Sequence, residues 1–315
     1  MDKSRKRNKS KNIKLIDIIL IILPLTLMLP NIYLLKNNTT IQLSNNELKK
    51  ETNNIKEKLN NISKENKELE EKISVLNNLD ASIEEAKQNY FNTLKILEEK
   101  ISNKETDYKL AYITFDDGPY YSTYEFLKVL DEADIFATFF TTNVNQETCY
   151  DNSSQNCHLL YNEYLKYGHT IANHTYTHSI HYGLYTSGDS FINAIKKQEE
   201  HVKNLTGYTT NIARFPGGTG TANAYHVKDA SIEKLKEIGY GWVDWTAQDG
   251  DGGYVPNTEV AWSNFTKSID EDIEVVLFHD YSRITIAILP DAIKYLKDNN
   301  YILAPLFYES KMVNK

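Results

Sequence analysis

At 315 residues the chain is long enough for one large domain or two smaller ones, and its composition is that of a globular protein with a formal net charge of −8. The charge is uneven: residues 1–14 carry seven Lys/Arg against Asp2 alone, while 105–315 carry 16 basic and 29 acidic side chains. A region at −13 repels nucleic-acid phosphates, which argues against nucleic acid as a partner.

The basic tail, 1–14, runs into 15–35, which is apolar except for Asp17, Thr26 and Asn31. About 20 apolar residues span a bilayer, and excess Lys/Arg before the span keeps that end in the cytoplasm. The competing reading is a cleaved signal peptide, but no small-x-small site follows in Asn31–Lys36. The expectation is a single-pass anchor in the cell membrane, with everything after residue 36 outside.

Residues 40–104 read as a coiled-coil stalk. Between 48 and 101 there is no Gly or Pro, and apolar residues recur at alternating spacings of four and three. One register puts Leu48, Ile55, Ile62, Leu69, Leu76, Ile83, Tyr90 and Leu97 at d, and Thr52, Leu59, Asn66, Ile73, Asp80, Lys87, Leu94 and Ile101 at a. Such heptads with charged flanks predict a parallel homodimer, the polar Asn66 fixing register; Asp80 and Lys87 weaken the middle of the seam. A single solvated helix or a hairpin folded on itself are the alternatives.

From Lys109 onward apolar runs alternate with amphipathic segments. Strands are expected near 110–115, 135–141, 169–173, 211–215, 240–244, 274–278 and 301–306, with helices near 122–133, 158–167, 189–205, 229–238, 258–269 and 288–298. Ser122 with Glu125 makes a capping box, Asp189 a further cap, and Gly168, Gly207 and Gly239 helix ends. Strands alternating with helices describe a parallel α/β barrel or an open α/β sheet over 105–315. Cys149 and Cys157 fall in one polar loop; outside the membrane so close a pair can oxidise to a disulfide.

Polar residues cluster after five of these strands: Asp116-Asp117, then Asn173-His174-Thr175-Tyr176-Thr177-His178, Arg214-Phe215-Pro216-Gly217-Gly218, Trp242-Val243-Asp244-Trp245 and Leu277-Phe278-His279. Active sites of parallel barrels are built on that face. His174 and His178 are four apart, so a helical turn would project both imidazoles to one side. With Asp117 they form a three-ligand set with open positions, the layout of hydrolytic rather than structural zinc. A bound cation lets Asp117 stay ionised beside Asp116. Asp116 is then the base, Arg214 fixes it and keeps its pKa low, and His279 across the rim is the proton donor. His169 and His181 read as structural or surface residues.

The series TFDDGP, HTYTH, RFPGG, WVDW and LFH, in this order over roughly 108–308, resembles the NodB-homology polysaccharide deacetylases, carbohydrate esterase family 4. The resemblance implies a distorted (β/α) barrel of seven to eight strands and metal-dependent removal of acetyl groups from N-acetylated sugars. It implies Asp116 as base, Asp117, His174 and His178 as ligands of a divalent metal (Zn²⁺, with Co²⁺ or Mn²⁺ as alternatives) and His279 as acid. Leu277 with Trp245 or Trp242 would line the acetyl pocket. Family members often carry Tyr after the proline of the arginine motif; here it is Gly217, which keeps the backbone donor to the oxyanion but loses the aromatic wall. Either Asp244 or Asp249 is the carboxylate that tunes His279, with Asp249 preferred. A domain held off a membrane suits a fixed cell-wall glycan, peptidoglycan N-acetylglucosamine first. Chitin oligosaccharides, acetyl-xylan, or a catalytically silent carbohydrate-binding module on a dimeric stalk are the other readings.

Overall fold

The computed structural model describes residues 38–143 and 157–315. The basic tail, the 15–35 segment and Cys149 lie outside these residues, as does the side chain of Cys157, and with them the expected anchor and disulfide. Among the described residues no helix is long and apolar enough to cross a membrane. The chain divides into two compact units, 1–86 and 87–315.

Helix α1 (Asn38–Ser102) is continuous across the predicted stalk, as a stretch without Gly or Pro and rich in Glu, Lys and Leu allows. In the first unit the seam residues Leu59, Leu69, Ile73, Leu76 and Ile83 are exposed. In the second unit the same periodicity serves another purpose. Leu94 and Ile101 are buried, and Tyr90, Phe91 and Leu97 pack beside them against sheet residues such as Leu110, Tyr112 and Val275. The heptad positions from 90 to 101 are therefore core of the second compact unit, Lys87–Lys315. Glu98, fully buried, fastens this stretch: its carboxylate accepts from Tyr112 Oη (2.8 Å), Ser310 Oγ (2.6 Å) and the Lys311 N–H (3.1 Å).

The second unit is built on a curled, parallel eight-stranded sheet: β1 (Lys109–Asp116), β2 (Thr138–Thr141), β3 (Thr170–Asn173), β4 (Ile212–Ala213), β5 (Gly241–Trp242), β6 (Ala247–Gln248), β7 (Ile273–His279) and β8 (Tyr301–Ala304). The strand order is β5-β4-β3-β2-β1-β7-β6, with β8 also paired to β1. Crossovers are made by α2 (Thr123–Glu132), α3 (Cys157–Lys166), α4 (Gly188–Thr206), α5 (Gly218–Ala224), α6 (Lys228–Glu237), α7 (Thr258–Ser268) and α8 (Arg283–Asp298). All seven expected strands and six expected helices are present. The two-residue β6 and the glycine-rich α5 have no counterpart in the sequence reading, and α8 starts five residues earlier than its expected 288.

Alternation along β1 organises both faces. Ala111, Ile113 and Phe115 join the core formed with the outer helices. Leu110 and Tyr112 join the core on the other face, which Leu94, Ile101, Leu306, Phe307 and Val313 also fill. That second row continues as Thr114 and Asp116, so one strand face turns from apolar to polar as it reaches the carboxyl end.

Two expected caps differ. Ser122 makes no cap bond; its Oγ donates to the Asp280 carbonyl (2.7 Å), and Glu125 pairs with Arg283 instead. Helix α4 is capped by Ser187, which accepts from the Ser190 N–H, while Asp189 pairs with Lys234. Gly207 ends α4 with φ 79°, the left-handed position glycine fills without a Cβ clash.

Candidate active site

The sequence TFDDGP puts two consecutive carboxylates at the end of β1, and a strand would send them to opposite faces. The backbone resolves this: Asp117 sits at φ 73°, a left-handed conformation that Asp tolerates better than most residues, so both side chains line one cavity of about 300 Å³. Gly118 follows, where a Cβ would run into the buried Asp280 carboxylate and lie 2.7 Å from the Tyr164 hydroxyl.

His174 and His178 meet without the expected helical turn. The segment after β3 is irregular, with Thr175 (φ 66°) and His178 (φ 46°) left-handed, and it brings the two rings to 4.9 Å between centroids. Asn173 braces it: Nδ2 donates to the Ile195 carbonyl and Oδ1 accepts from the Thr175 N–H, both at 2.9 Å. His174 Nδ1 donates to the Arg214 carbonyl (2.9 Å), which fixes the tautomer and leaves the Nε2 lone pair facing Asp117 Oδ1 at 3.5 Å. Burial, then the neighbouring His178, push the His174 pKa down to about 3, so this ring is neutral. His178 Nε2 lies 3.3 Å from the same Asp117 oxygen. One donor atom from each of Asp117, His174 and His178 falls within 4.8 Å of the others. Two imidazoles and one carboxylate converging in this way, with His174 already held through its Nδ1, fit a divalent cation.

Asp116, 2% exposed, accepts from Arg214 Nη1 at 2.8 Å. The guanidinium is fully buried and spends its donors on Thr114 Oγ1 (2.8 Å), the Val243 carbonyl (3.3 Å) and the Asp244 carbonyl (3.2 Å), with its plane 4.1 Å from the Phe140 ring centre. The pairing is as expected, but the pKa is not: burial raises the Asp116 pKa by more than Arg214 and His279 lower it. A carboxylate raised in this way is a better proton acceptor at neutral pH.

His279, at the end of β7 and in register with Asp116, has Nε2 3.8 Å from Asp117 Oδ2. Its tuning carboxylate is neither Asp244 nor Asp249. Asp244 accepts from the Thr219 N–H (3.0 Å) and from the Thr219 hydroxyl, holding the start of α5. Asp249 is buried but bonded elsewhere, to the Asp251 N–H and Thr285. Asp251 takes the role: Oδ1 accepts from His279 Nδ1 at 2.6 Å and Oδ2 from the His279 N–H at 2.9 Å. Burial alone would lower the His279 pKa, but the Asp251 bond and charge, with Asp117 and Asp116, outweigh it and lift it to about 9. The ring is thus a cation at neutral pH. The loop carrying Asp251 passes so close over the imidazole that a Cβ at Gly252 would lie 2.8 Å from Cε1. Glycines on both sides of Asp251 were the available sequence signal for a tight approach.

The cavity is bounded by Trp245 and Leu277, as expected, and by Gly217. Trp242 is not there; it packs with Ile238 and Tyr240 and pairs its backbone with Asn314. Tyr281, Gln248 and Ile180 also line it, and sequence reasoning did not single them out. His169 is a core histidine whose Nδ1 accepts from the Ala137 N–H, and His181 is bonded to Tyr225, in keeping with structural roles.

Residues 103–240 match the family model described as polysaccharide deacetylase. Two peptidoglycan-N-acetylglucosamine deacetylases of Bacillus cereus are similar: one is 30% identical over 205 residues, covering 61% of this chain and 84% of that protein, and the other is 29% identical over 199 residues, covering 61% and 67%. Among solved structures, the catalytic domain of a peptidoglycan N-acetylglucosamine deacetylase from Eubacterium rectale superposes with a TM-score of 0.58 at 29% identity, covering 66% of this chain and 93% of that one. Motif order, sheet, cavity and these likenesses agree, and the chain belongs to the polysaccharide deacetylase family.

Proposed function

We propose that the chain is a metal-dependent N-deacetylase of cell-wall glycan, acting on peptidoglycan N-acetylglucosamine. The observation that carries this reading is the grouping, in one cavity, of a three-donor cluster with a buried base and a cationic acid, Asp116 and His279. Asp117, His174 and His178 would hold a divalent cation, Zn²⁺ as first choice, which when bound would supply Lewis-acid polarisation of the acetamide carbonyl and of water. Asp116, aimed by Arg214, takes the proton from the attacking water. The Gly217 N–H is the backbone donor for the carbonyl oxygen as charge builds on it. His279 gives its Nε2 proton to the departing nitrogen, so acetamide plus water becomes acetate plus a free amine. Trp245 and Leu277 bound the space for the acetyl methyl group.

The full chain incubated with Zn²⁺ and purified peptidoglycan is expected to release acetate and free amine in equal amounts, and chelation to abolish both. Acetate without amine would point to ester cleavage and overturn the N-deacetylase reading; undiminished release after chelation would overturn the metal.

The apolar segment 15–35 after a basic tail supports anchoring in the cell membrane with the catalytic unit outside, and the heptads before residue 87 support a dimeric stalk. Deleting 1–36 is expected to move the protein from the membrane to the soluble fraction while sedimentation still reports a dimer. A deletion that stays with membranes, or a monomer at micromolar concentration, would sink the respective idea.

A further inference from the structure

One hydroxyl near the site is shared by two carboxyl groups. Thr285 Oγ1 lies 2.7 Å from Asp249 Oδ2 and 2.6 Å from Asp251 Oδ2. Both contacts are hydrogen-bond distances, yet a threonine hydroxyl has a single proton to give. If both carboxyls were ionised, one contact would set lone pair against lone pair between buried oxygens; Asp249 is fully buried and Asp251 8% exposed. A proton on one of the acids supplies the second donor that two contacts this short call for. Asp251 is committed as an acceptor, taking the His279 N–H on Oδ2 and Nδ1–H on Oδ1. Asp249 has no such commitment: Oδ1 accepts from the Asp251 N–H at 3.0 Å, which either protonation state allows, and Oδ2 faces only the Thr285 oxygen among its hydrogen bonds.

We propose that Asp249 is a positioning residue that carries its carboxyl proton and donates it to Thr285, so that the Thr285 proton is committed to Asp251 and Asp251 in turn to His279. The chain of donors runs Asp249 to Thr285 to Asp251, and meets there the bond from His279. Asp249 touches neither cavity nor metal ligand; it acts through the dyad. Neutrality at Asp249 fixes the hydroxyl rotor in one direction, aims Asp251 at the imidazole and spares the site a second buried negative charge. The electrostatics agree with the geometry: burial first, then the Asp251 charge, push the Asp249 pKa up to about 7. The Asn264 side chain, donating to the Asp249 carbonyl (3.0 Å), holds the loop from the opposite side without adding a charge.

This inference rests on the reading of His279 as the acid, and its test has one arm independent of turnover. Asparagine reproduces a protonated aspartate here, its Oδ1 accepting from Asp251 and its Nδ2 donating to Thr285. In the full chain, at a pH about one unit below neutrality, the infrared difference between wild type and Asp249→Asn is expected to contain the carbonyl stretch of one protonated carboxylic acid. On N-acetylated glycan, Asp249→Ala is expected to lose roughly 10- to 100-fold in kcat at unchanged KM, and Asp249→Asn to restore kcat to within about threefold of wild type. Loss of carboxylate bands in place of the acid band overturns the proposal, and so does an Asn variant as impaired as Ala. If no variant and no wild-type chain releases acetate, the functional reading fails while the infrared result still decides the proton.

Discussion

A chain that begins at residue 105, where the heptad pattern ends, is expected not to fold, whereas one that begins at residue 87 is expected to unfold cooperatively. The shorter fragment lacks Leu94 and Ile101, both buried, and the partly buried Tyr90, Phe91 and Leu97 that pack against the same cluster. At about 1.5–3 kcal/mol for each fully buried Leu or Ile, and less for the others, the loss is on the order of 5–10 kcal/mol. Whole domains are stable by about 5–15 kcal/mol. Removing Glu98 adds to this, since Tyr112 Oη, Ser310 Oγ and the Lys311 N–H lose their shared buried acceptor. Glu98→Ala alone, in the longer fragment, is expected to cost about 2–4 kcal/mol. Urea denaturation followed by far-UV and near-UV circular dichroism reads both. An equal midpoint for the 87–315 and 105–315 fragments would show that the end of α1 contributes nothing to the fold.

Asp251→Asn should reduce kcat by about 10²–10³-fold with little change in KM, because Asp251 holds the acid and does not line the cavity. Its effect has a sign that a purely structural lesion would not produce. His279 has its pKa lifted to about 9 chiefly by the Asp251 hydrogen bond and charge working against burial. Take those away and burial is opposed by Asp117 and Asp116 alone, so the imidazolium loses its proton at lower pH. A general acid works only while protonated; the alkaline limb of the kcat–pH profile is therefore expected to move toward acid by roughly one to two units. Activity that falls without any movement of that limb would mean that Asp251 only supports the loop. The matching change at Asp244, which holds Thr219 and α5, should leave the limb in place.

Much of the site was legible because catalytic motifs place their residues by chain topology. Asp116, Asp117, Arg214 and His279 each end a strand or follow one directly, and a parallel sheet gathers strand ends at one edge whatever the sequence between them. The carboxylate beside His279 was not legible for the opposite reason. Asp244, Asp249 and Asp251 lie within eight positions on a stretch without regular periodicity, where direction depends on turns such as Gly250 at φ 86°. The stalk boundary was hidden by degeneracy: a seam that faces another helix and a stripe that faces a sheet carry the same spacing of three and four. Only the sheet residues opposite Leu94 and Ile101 distinguish them. Ser122 illustrates a local rule overridden at a distance, its hydroxyl drawn from the helix start to the Asp280 carbonyl 158 positions away.

The grip of Glu98 has a consequence for how the polypeptide is made. Its bond to Ser310 spans 212 positions, and Asn314, four residues further on, bridges to Trp242. Strand β1, which follows Glu98 almost at once, waits for β7 and β8 before both its flanks are paired. Residues near Glu98 thus hold no finished partner surface until the chain has been made as far as Ser310 and Lys311. Contacts of such separation favour late, all-or-none closure over stepwise assembly. A nascent chain caught before residue 273 would present β1 as an open edge, the form that folding helpers and proteases recognise.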